Sequence, residues 1–217
     1  QCCMIEKMTK DTTGSTFWKD VLNIGVFIVL VAVGVMIINA FIFRSFNVEG
    51  PSMEKTLYTG DKLIVNKIPV TIDHLQRKTY IPPRGQVIVF KNPLYESMRA
   101  DEYIVKRVIG LPGDKVIVRD GNITVFNTSH PNGFNPDTKT HDTEGSPTAG
   151  DFEGTVGKNE LFVSGDHRQK VPGSGENGRS TQYYSLDSRN GLGMLPLKDV
   201  VGPVGIRIFP FQNIRTF

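Results

Sequence analysis

Residues 103–126 read YIVKRVIGLPGDKVIVRDGNITVF, and their pattern sets the fold class. Three short runs rich in valine and isoleucine are separated by Pro112-Gly113-Asp114 and by Asp120-Gly121. β-Branched residues favour strands, and an Asp-Gly pair between two such runs is a strong signal for a tight hairpin turn. The stretch therefore predicts three consecutive short β-strands, of which the last two form a hairpin.

The same pattern of short apolar runs and turn residues continues on both sides of this stretch. No segment after residue 44 shows a helical period over eleven or more residues. We therefore expect a mainly β fold, with an N-terminal transmembrane helix followed by an antiparallel, partly barrel-like β-domain. The stretches 130–154 and 169–180 are rich in Gly, Pro and Asn and are expected to be loops. The remaining predicted strands are residues 62–65, 86–90, 160–163 and 204–209.

Residues 21–43 form the one run of membrane-spanning length that has neither a charge nor a proline. As a helix this run would be roughly 35 Å long, enough to cross the ~30 Å hydrocarbon core of a bilayer. A cleavable signal sequence is the alternative, but the run is too long and no small-x-small site follows it. We therefore expect a permanent anchor. Basic residues flank the run about equally on both sides, so charge alone leaves its orientation open.

The charge balance argues against nucleic-acid binding, and the cysteine positions argue against a disulfide-bonded domain. The chain has 25 Lys and Arg against 22 Asp and Glu, and this net charge of +3 is too small to argue for nucleic-acid binding. Both cysteines, Cys2 and Cys3, precede the apolar run, so we expect no disulfide in the domain that follows. No group of residues has the spacing of metal ligands, and we expect neither a metal nor another cofactor.

Ser52 and Lys106 are the residues that could carry chemistry. A serine needs a base beside it, and a lysine with a pKa of ~10.4 is almost entirely protonated at pH 7. In a strand, Lys106 shares its face with Ile104 and Val108, so burial could lower its pKa. The alternatives are a lysine at a strand edge that reaches water, and a serine that is only a turn residue after Pro51.

Four segments stand out together, and they occur in a fixed order over residues 45–209. They are GPSMEKTL at 50–57 followed by Gly60-Asp61, PRGQVIVF at 83–90, VKRVIGLPGD at 105–114, and SGDHR at 164–168 followed by SLDSRNG at 185–191. In this order they closely resemble the sequence boxes of the bacterial type I signal peptidases, the leader peptidase family with a Ser/Lys dyad.

The resemblance implies a membrane-anchored serine endopeptidase that cleaves N-terminal signal peptides from secreted preproteins after a small-x-small site. It implies a cytoplasmic tail over residues 1–20, a transmembrane helix over 21–43 and an extracytoplasmic catalytic domain over 44–217, in the plasma membrane. The expected partners are the extended C-region of preprotein signal peptides and the lipid bilayer, with no nucleic acid and no metal.

The resemblance also implies roles for individual residues. Ser52 would attack the scissile carbonyl, its backbone N–H would stabilise the oxyanion, and Lys106 would act as a neutral general base. Met53 and Ile104 would contact the substrate. The residues expected to support the oxyanion and the site are Gly50, Ser185, Asp187, Arg189, Asp166 and Arg168.

Three departures from the family pattern bear on the site, and the first is Lys55, which stands where relatives usually carry a proline after the methionine of the serine segment. Gly50 stands where some relatives carry a serine whose hydroxyl helps the oxyanion, and residues 169–184 are an insertion before Ser185. The main alternative function is that of a catalytically dispensable relative that binds or assembles surface proteins, although such relatives usually lack the Ser or the Lys. A membrane-anchored β-domain that only binds a partner is the more general alternative. Self-cleaving repressors share the dyad, but they are soluble and bind DNA.

Overall fold

The computed structural model of the chain describes residues 13–95, 102–139, 143, 146–169, 171–174, 180–183 and 185–217. The chain forms two compact units, residues 1–40 and 41–217.

Helix α1 spans Thr13–Ile37 and continues as a π-helical segment over Ile38–Ile42. The candidate membrane span is Phe17–Ile42, which is long and apolar enough to cross a bilayer and has exposed side chains throughout its most apolar part. The predicted span extended to Phe43, but this residue begins the first strand and pairs with Asn66. Strand pairing therefore ends the helical segment one residue earlier than the apolar pattern indicates.

The second unit consists mainly of antiparallel strands. Within the described residues, eight strands form a large sheet in the order β1-β2-β13-β3-β4-β9-β12, with β14 beside β13. Four strands form a second sheet in the order β7-β6-β5-β8, and β10 pairs with β11 alone. The strands are β1 Phe43–Asn47, β2 Lys62–Asn66, β3 Val87–Lys91, β4 Tyr103–Gly110, β5 Lys115–Arg119, β6 Asn122–Asn127, β7 His130–Phe134, β8 Phe152–Thr155, β9 Glu160–Ser164, β10 Val171–Ser174, β11 Ser180–Tyr183, β12 Leu195–Pro196, β13 Val200–Phe209 and β14 Arg215–Thr216.

The mainly antiparallel β fold predicted from the sequence is confirmed, and each of the seven predicted strands is present as β2, β3, β4, β5, β6, β9 or β13. The predicted hairpin between β5 and β6 is also present. Asp120 and Gly121 both have positive φ, 52° and 79°, as the tight turn of a two-residue hairpin requires.

The predicted loops contain strands that composition alone did not indicate. β7 and most of β8 lie within 130–154, and β10 and the start of β11 lie within 169–180. β7 has the sequence HPNGF, which has low strand propensity, but it pairs with β6 directly across a short turn. Pairing with a neighbour therefore outweighs propensity here. The sequence also missed the short helix α2, Ile68–Leu75, because eight residues are too few to show a helical period.

The centre of the large sheet is buried on both faces. In β3, Ile88 and Phe90 belong to one apolar cluster, while Val87 and Val89 belong to another on the opposite face. Strand β4 runs beside β3 and pairs with it over residues 103–107. A third cluster, which includes Phe162 of β9, extends to β5 and β6 of the second sheet. Side chains that project from β4 are therefore held in a rigid apolar framework.

Candidate active site

The chain turns sharply after β1, and this turn carries Ser52. Gly50 has a φ of +81°, a left-handed conformation that glycine adopts at little cost. The turn is closed by hydrogen bonds from Glu54 N–H to the Pro51 carbonyl, 3.1 Å, and from Thr56 N–H to the Met53 carbonyl, 2.9 Å. In the part of the chain that the structure describes, the Ser52 backbone N–H donates no hydrogen bond. We call residues 50–57 the serine turn.

Strand β4 brings Lys106 to this turn. Lys106 pairs with Ile88 of β3 and is 3% exposed. Its Nζ lies 2.5 Å from Ser52 Oγ, although the two residues are 54 positions apart in sequence. Ile104 and Val108 pack in one apolar cluster, as the alternation of β4 predicted for the face that they share with Lys106. The structure therefore places the hydroxyl and the amine in direct contact, with the amine inside the protein.

The segment after β9 packs directly against the serine turn. The His167 N–H donates to the Ser52 carbonyl at 3.1 Å. A Cβ placed on Gly165 would lie 2.3 Å from the same carbonyl oxygen, a distance that real Cβ atoms essentially never show. The two backbones therefore approach more closely than any residue larger than glycine permits at position 165.

A buried ion pair connects the same segment to β4. Arg107 donates to Asp166 through Nε at 2.8 Å and through a terminal nitrogen at 2.5 Å. Thr56 Oγ1, in the serine turn, donates to the same carboxylate. Asp166 thus links β4 to the serine turn. Thr56 and Arg107 were not among the predicted residues. Arg107 could have been noticed because it follows Lys106 in an otherwise apolar strand. If both faces of that strand are buried, each of the two charged side chains needs a polar partner.

The other predicted support residues form two further ion pairs. Arg189 contacts Asp187 at 2.6 Å and donates to the Ala149 carbonyl at 2.6 Å. Arg168 is 1% exposed and donates to Asp137 at 2.6 Å and to the Gly165 carbonyl at 2.8 Å. Asp137 lies in the stretch predicted to be a loop, and the sequence did not mark it as a partner of Arg168.

Ser185 lies on the wall of the same cavity as Ser52 and Lys106 and is 2% exposed. Its Oγ has no hydrogen-bond partner among the described residues. The family resemblance implies that Ser185 orients the Lys106 amine, but among the described residues no hydrogen bond joins the two side chains.

A cavity of about 380 Å³ opens beside the Ser52–Lys106 pair. Ile104 lies on its wall, whereas Met53 does not line the cavity and packs in the apolar cluster of Val87 and Val89. Other lining residues are Phe46, Val48, Leu63, Tyr103 and Leu186.

Two strand segments border this cavity, and each has an open edge in the described part of the chain. β1 pairs only with β2. Residues 103–105 of β4 pair only with β3, since the pairing of β4 with β9 begins at Arg107. Unpaired backbone groups on both sides can accept an extended peptide between them.

Comparisons with known proteins agree in one family. The model of the signal peptidase family, peptidase S26, matches residues 21–209. Signal peptidase I of Bacillus licheniformis is 31% identical over 191 residues, which are 87% of this chain and 88% of the relative. A signal peptidase I P of Bacillus subtilis subsp. natto is 32% identical over 194 residues, with coverage of 87% and 89%. The crystal structure of a signal peptidase I from Enterococcus faecalis is 24% identical and covers 58% of this chain and 98% of its own, with a TM-score of 0.38.

Proposed function

Because this chain belongs to the signal peptidase family, peptidase S26, we propose that it is a membrane-anchored serine endopeptidase that removes signal peptides from secreted preproteins. In this proposal Ser52 is the nucleophile and Lys106 is the general base. The observation that carries the proposal is the 2.5 Å contact between Lys106 Nζ and Ser52 Oγ beside an open cavity.

Burial supports the role of Lys106 as a base. An ammonium group loses its hydration when it is taken out of water, so an amine that is 3% exposed is favoured in its neutral form. A neutral amine beside the Ser52 hydroxyl can accept its proton. The same two groups in water would remain an ammonium and an inert hydroxyl.

In the acylation step, Lys106 accepts the Ser52 proton while Oγ attacks the scissile carbonyl carbon. The Ser52 backbone N–H donates to the oxyanion that forms, and it is suited to this because the serine turn makes no other use of it. Collapse of the intermediate breaks the C–N bond, and the leaving amine takes the proton from Lys106. The products of this step are an acyl-enzyme on Ser52 and the free N-terminus of the mature protein.

In the deacylation step, Lys106 accepts a proton from a water molecule that attacks the ester. The tetrahedral intermediate then releases Ser52 Oγ, which takes the proton back from Lys106. The signal peptide leaves with a free carboxylate, and the dyad returns to its starting state. Asp166, Asp187, Arg168 and Arg189 act through position, since their ion pairs support the segments around the dyad. Ser185 lines the same cavity as the dyad.

The open edges of β1 and of residues 103–105 support an extended substrate. A signal-peptide C-region would bind between them as an added strand, with small side chains directed into the cavity beside Ile104 and Ser52. Small pockets would select residues such as alanine at the first and third positions before the cleaved bond.

The span over Phe17–Ile42 supports a single-pass anchor in the plasma membrane. We propose a cytoplasmic tail over residues 1–20 and an extracytoplasmic catalytic domain over residues 44–217, because the substrates are cleaved as they emerge from the membrane.

The test is cleavage of a preprotein with an Ala-x-Ala site by the full chain in detergent, with Ser52→Ala and Lys106→Ala beside the wild type. We expect the wild type to cut after the last alanine and both variants to lose this activity while they fold normally. A wild type that does not cut, or a Lys106→Ala variant that cuts as well as the wild type, would refute the mechanism. Either result would favour a relative that binds or assembles surface proteins without catalysis.

A further inference from the structure

Helix α2 presents its apolar side chains outward. Ile68, Ile72 and Leu75 follow the i, i+4, i+7 spacing and therefore share one face of the helix. They are 38%, 45% and 81% exposed. Val70 and Asp73, on other faces, are half-buried. A helix that rests on a domain in water shows the opposite arrangement, with its apolar face inward.

The position of α2 indicates what covers this face. Ile42 is the last residue of the candidate membrane span, and its carbonyl accepts a hydrogen bond from Lys67 N–H at 2.8 Å. Thr71 Oγ1 donates to the carbonyl of Phe41 at 2.9 Å. The first turn of α2 therefore lies one hydrogen bond away from the residue at which the span ends.

Basic residues flank the outward face. Lys67 precedes α2, and Arg77 and Lys78 follow it. Burial, and secondarily the nearby Arg44 guanidinium, lower the pKa of Lys67. An apolar face with cationic flanks is the arrangement of helices that lie in a bilayer interface, where the cations meet anionic headgroups.

We propose that α2 lies in the surface of the bilayer, with Ile68, Ile72 and Leu75 among the acyl chains. The inference rests on the membrane anchor of the proposed function and adds a second contact between residues 41–217 and the lipid.

The test uses the full chain in vesicles of phosphatidylethanolamine and phosphatidylglycerol. Single cysteines are introduced by Ile72→Cys, Leu75→Cys or His74→Cys in a Cys2→Ser, Cys3→Ser background, and each is labelled with the environment-sensitive dye NBD. His74 is the matched control, because it is exposed on the same helix but lies about 160° from Ile72 and about 100° from Leu75 at 100° per residue. Each labelled protein is measured with and without lipids that carry a doxyl quencher on the acyl chain.

We expect blue-shifted emission and strong quenching by the doxyl lipid at positions 72 and 75, and neither at position 74. Equal behaviour at all three positions would overturn the proposal. So would protection of positions 72 and 75 from iodide without quenching by lipid, because that result means that a protein covers the face.

The same measurement in a Ser52→Ala background separates this inference from the proposed function. The quenching pattern does not depend on catalysis and should be unchanged there. A wild-type chain that cleaves the preprotein but shows no quenching at position 72 would refute the membrane contact of α2 alone. A chain that shows the quenching but does not cleave would refute only the catalytic proposal.

Discussion

The two sheets of the β-domain use charged residues in opposite ways. In the large sheet, the side chains of Arg107 and Asp166 are only 7% and 0% exposed, and their ion pair fixes the segment that packs against the serine turn. In the second sheet, Lys115 and Glu153 form an ion pair at 2.7 Å whose side chains are 47% and 49% exposed. When one partner of a buried pair is lost, the other charge stays buried without compensation. When one partner of an exposed pair is lost, water solvates the remaining charge. The buried pair beside the large sheet therefore positions the candidate site, whereas the exposed pair of the second sheet is a solvated surface contact.

The largest effect should come from Lys106→Met, which keeps the shape of the side chain and removes the base. We expect kcat/KM for preprotein cleavage to fall by about 100- to 10,000-fold or more, the range typical of a lost general base. The thermal unfolding midpoint should be unchanged or higher, because a buried amine no longer has to be desolvated. Activity and unfolding measured on the same preparation check this, and a lowered midpoint would mean that Lys106 is structural.

Asp166→Asn should show the cost of breaking the buried pair. Arg107 would remain buried without its counter-charge, which typically costs about 3–5 kcal/mol. We expect a lower unfolding midpoint together with reduced kcat, since Thr56 and Arg107 both donate to the carboxylate and an amide offers them one acceptor oxygen in place of two. Thermal unfolding in detergent and initial rates measure the two effects. A variant as stable and as active as the wild type would contradict the distinction between the two sheets.

Gly165→Ala tests the close approach of the two backbones at the site. The added methyl group would lie 2.3 Å from the Ser52 carbonyl oxygen, so the serine turn must move. Overpacking of this kind costs about 1–3 kcal/mol, and we expect kcat to fall more than KM rises. The matched control is Gly205→Ala in β13, where the nearest atom to the new Cβ would be at an ordinary 3.5 Å. Equal kcat values for the two variants would show that the contact does not position Ser52.

The smallest effect should come from Glu153→Gln in the second sheet. The hydrogen bond from Lys115, and secondarily its charge, lower the pKa of Glu153 from its ordinary value. A lowered pKa stabilises the folded state above the unfolded pKa, and this contribution is lost as the pH falls through the folded pKa. Because both side chains are half exposed, the wild type and the variant should differ little in unfolding midpoint at neutral pH, and less still in high salt. We also expect the two proteins to be equally active. A large loss of activity would mean that the Lys115–Glu153 pair influences the candidate site.

The features of the fold and the site that could be predicted are those encoded in short, continuous stretches of sequence. The seven Val- and Ile-rich runs became strands because burial and pairing reinforce their propensity. Ser52 and Lys106 could be proposed as partners because each lies in a segment with a recognisable signature. Their contact agrees with that hypothesis, while their chemical roles remain a proposal.

The unpredicted part depends on contacts between distant residues. Arg107 and Asp166 are 59 positions apart, and nothing local to either one indicates the other. Asp137 lay in a stretch whose Gly and Pro content indicated a loop, yet it is the buried partner of Arg168. β7 likewise exists because β6 is beside it. Helix α2 escaped detection because its eight residues are too few to show a helical period.

The contact between the His167 N–H and the Ser52 carbonyl joins a late segment of the chain to an early one. A chain whose synthesis has reached the end of β4 already contains both Ser52 and Lys106. It lacks this backbone donor, because His167 follows β9 in the sequence. If Ser52 and Lys106 form the proposed dyad, the serine turn of that dyad is therefore complete only after β9 and the segment that follows it have been synthesised and have folded.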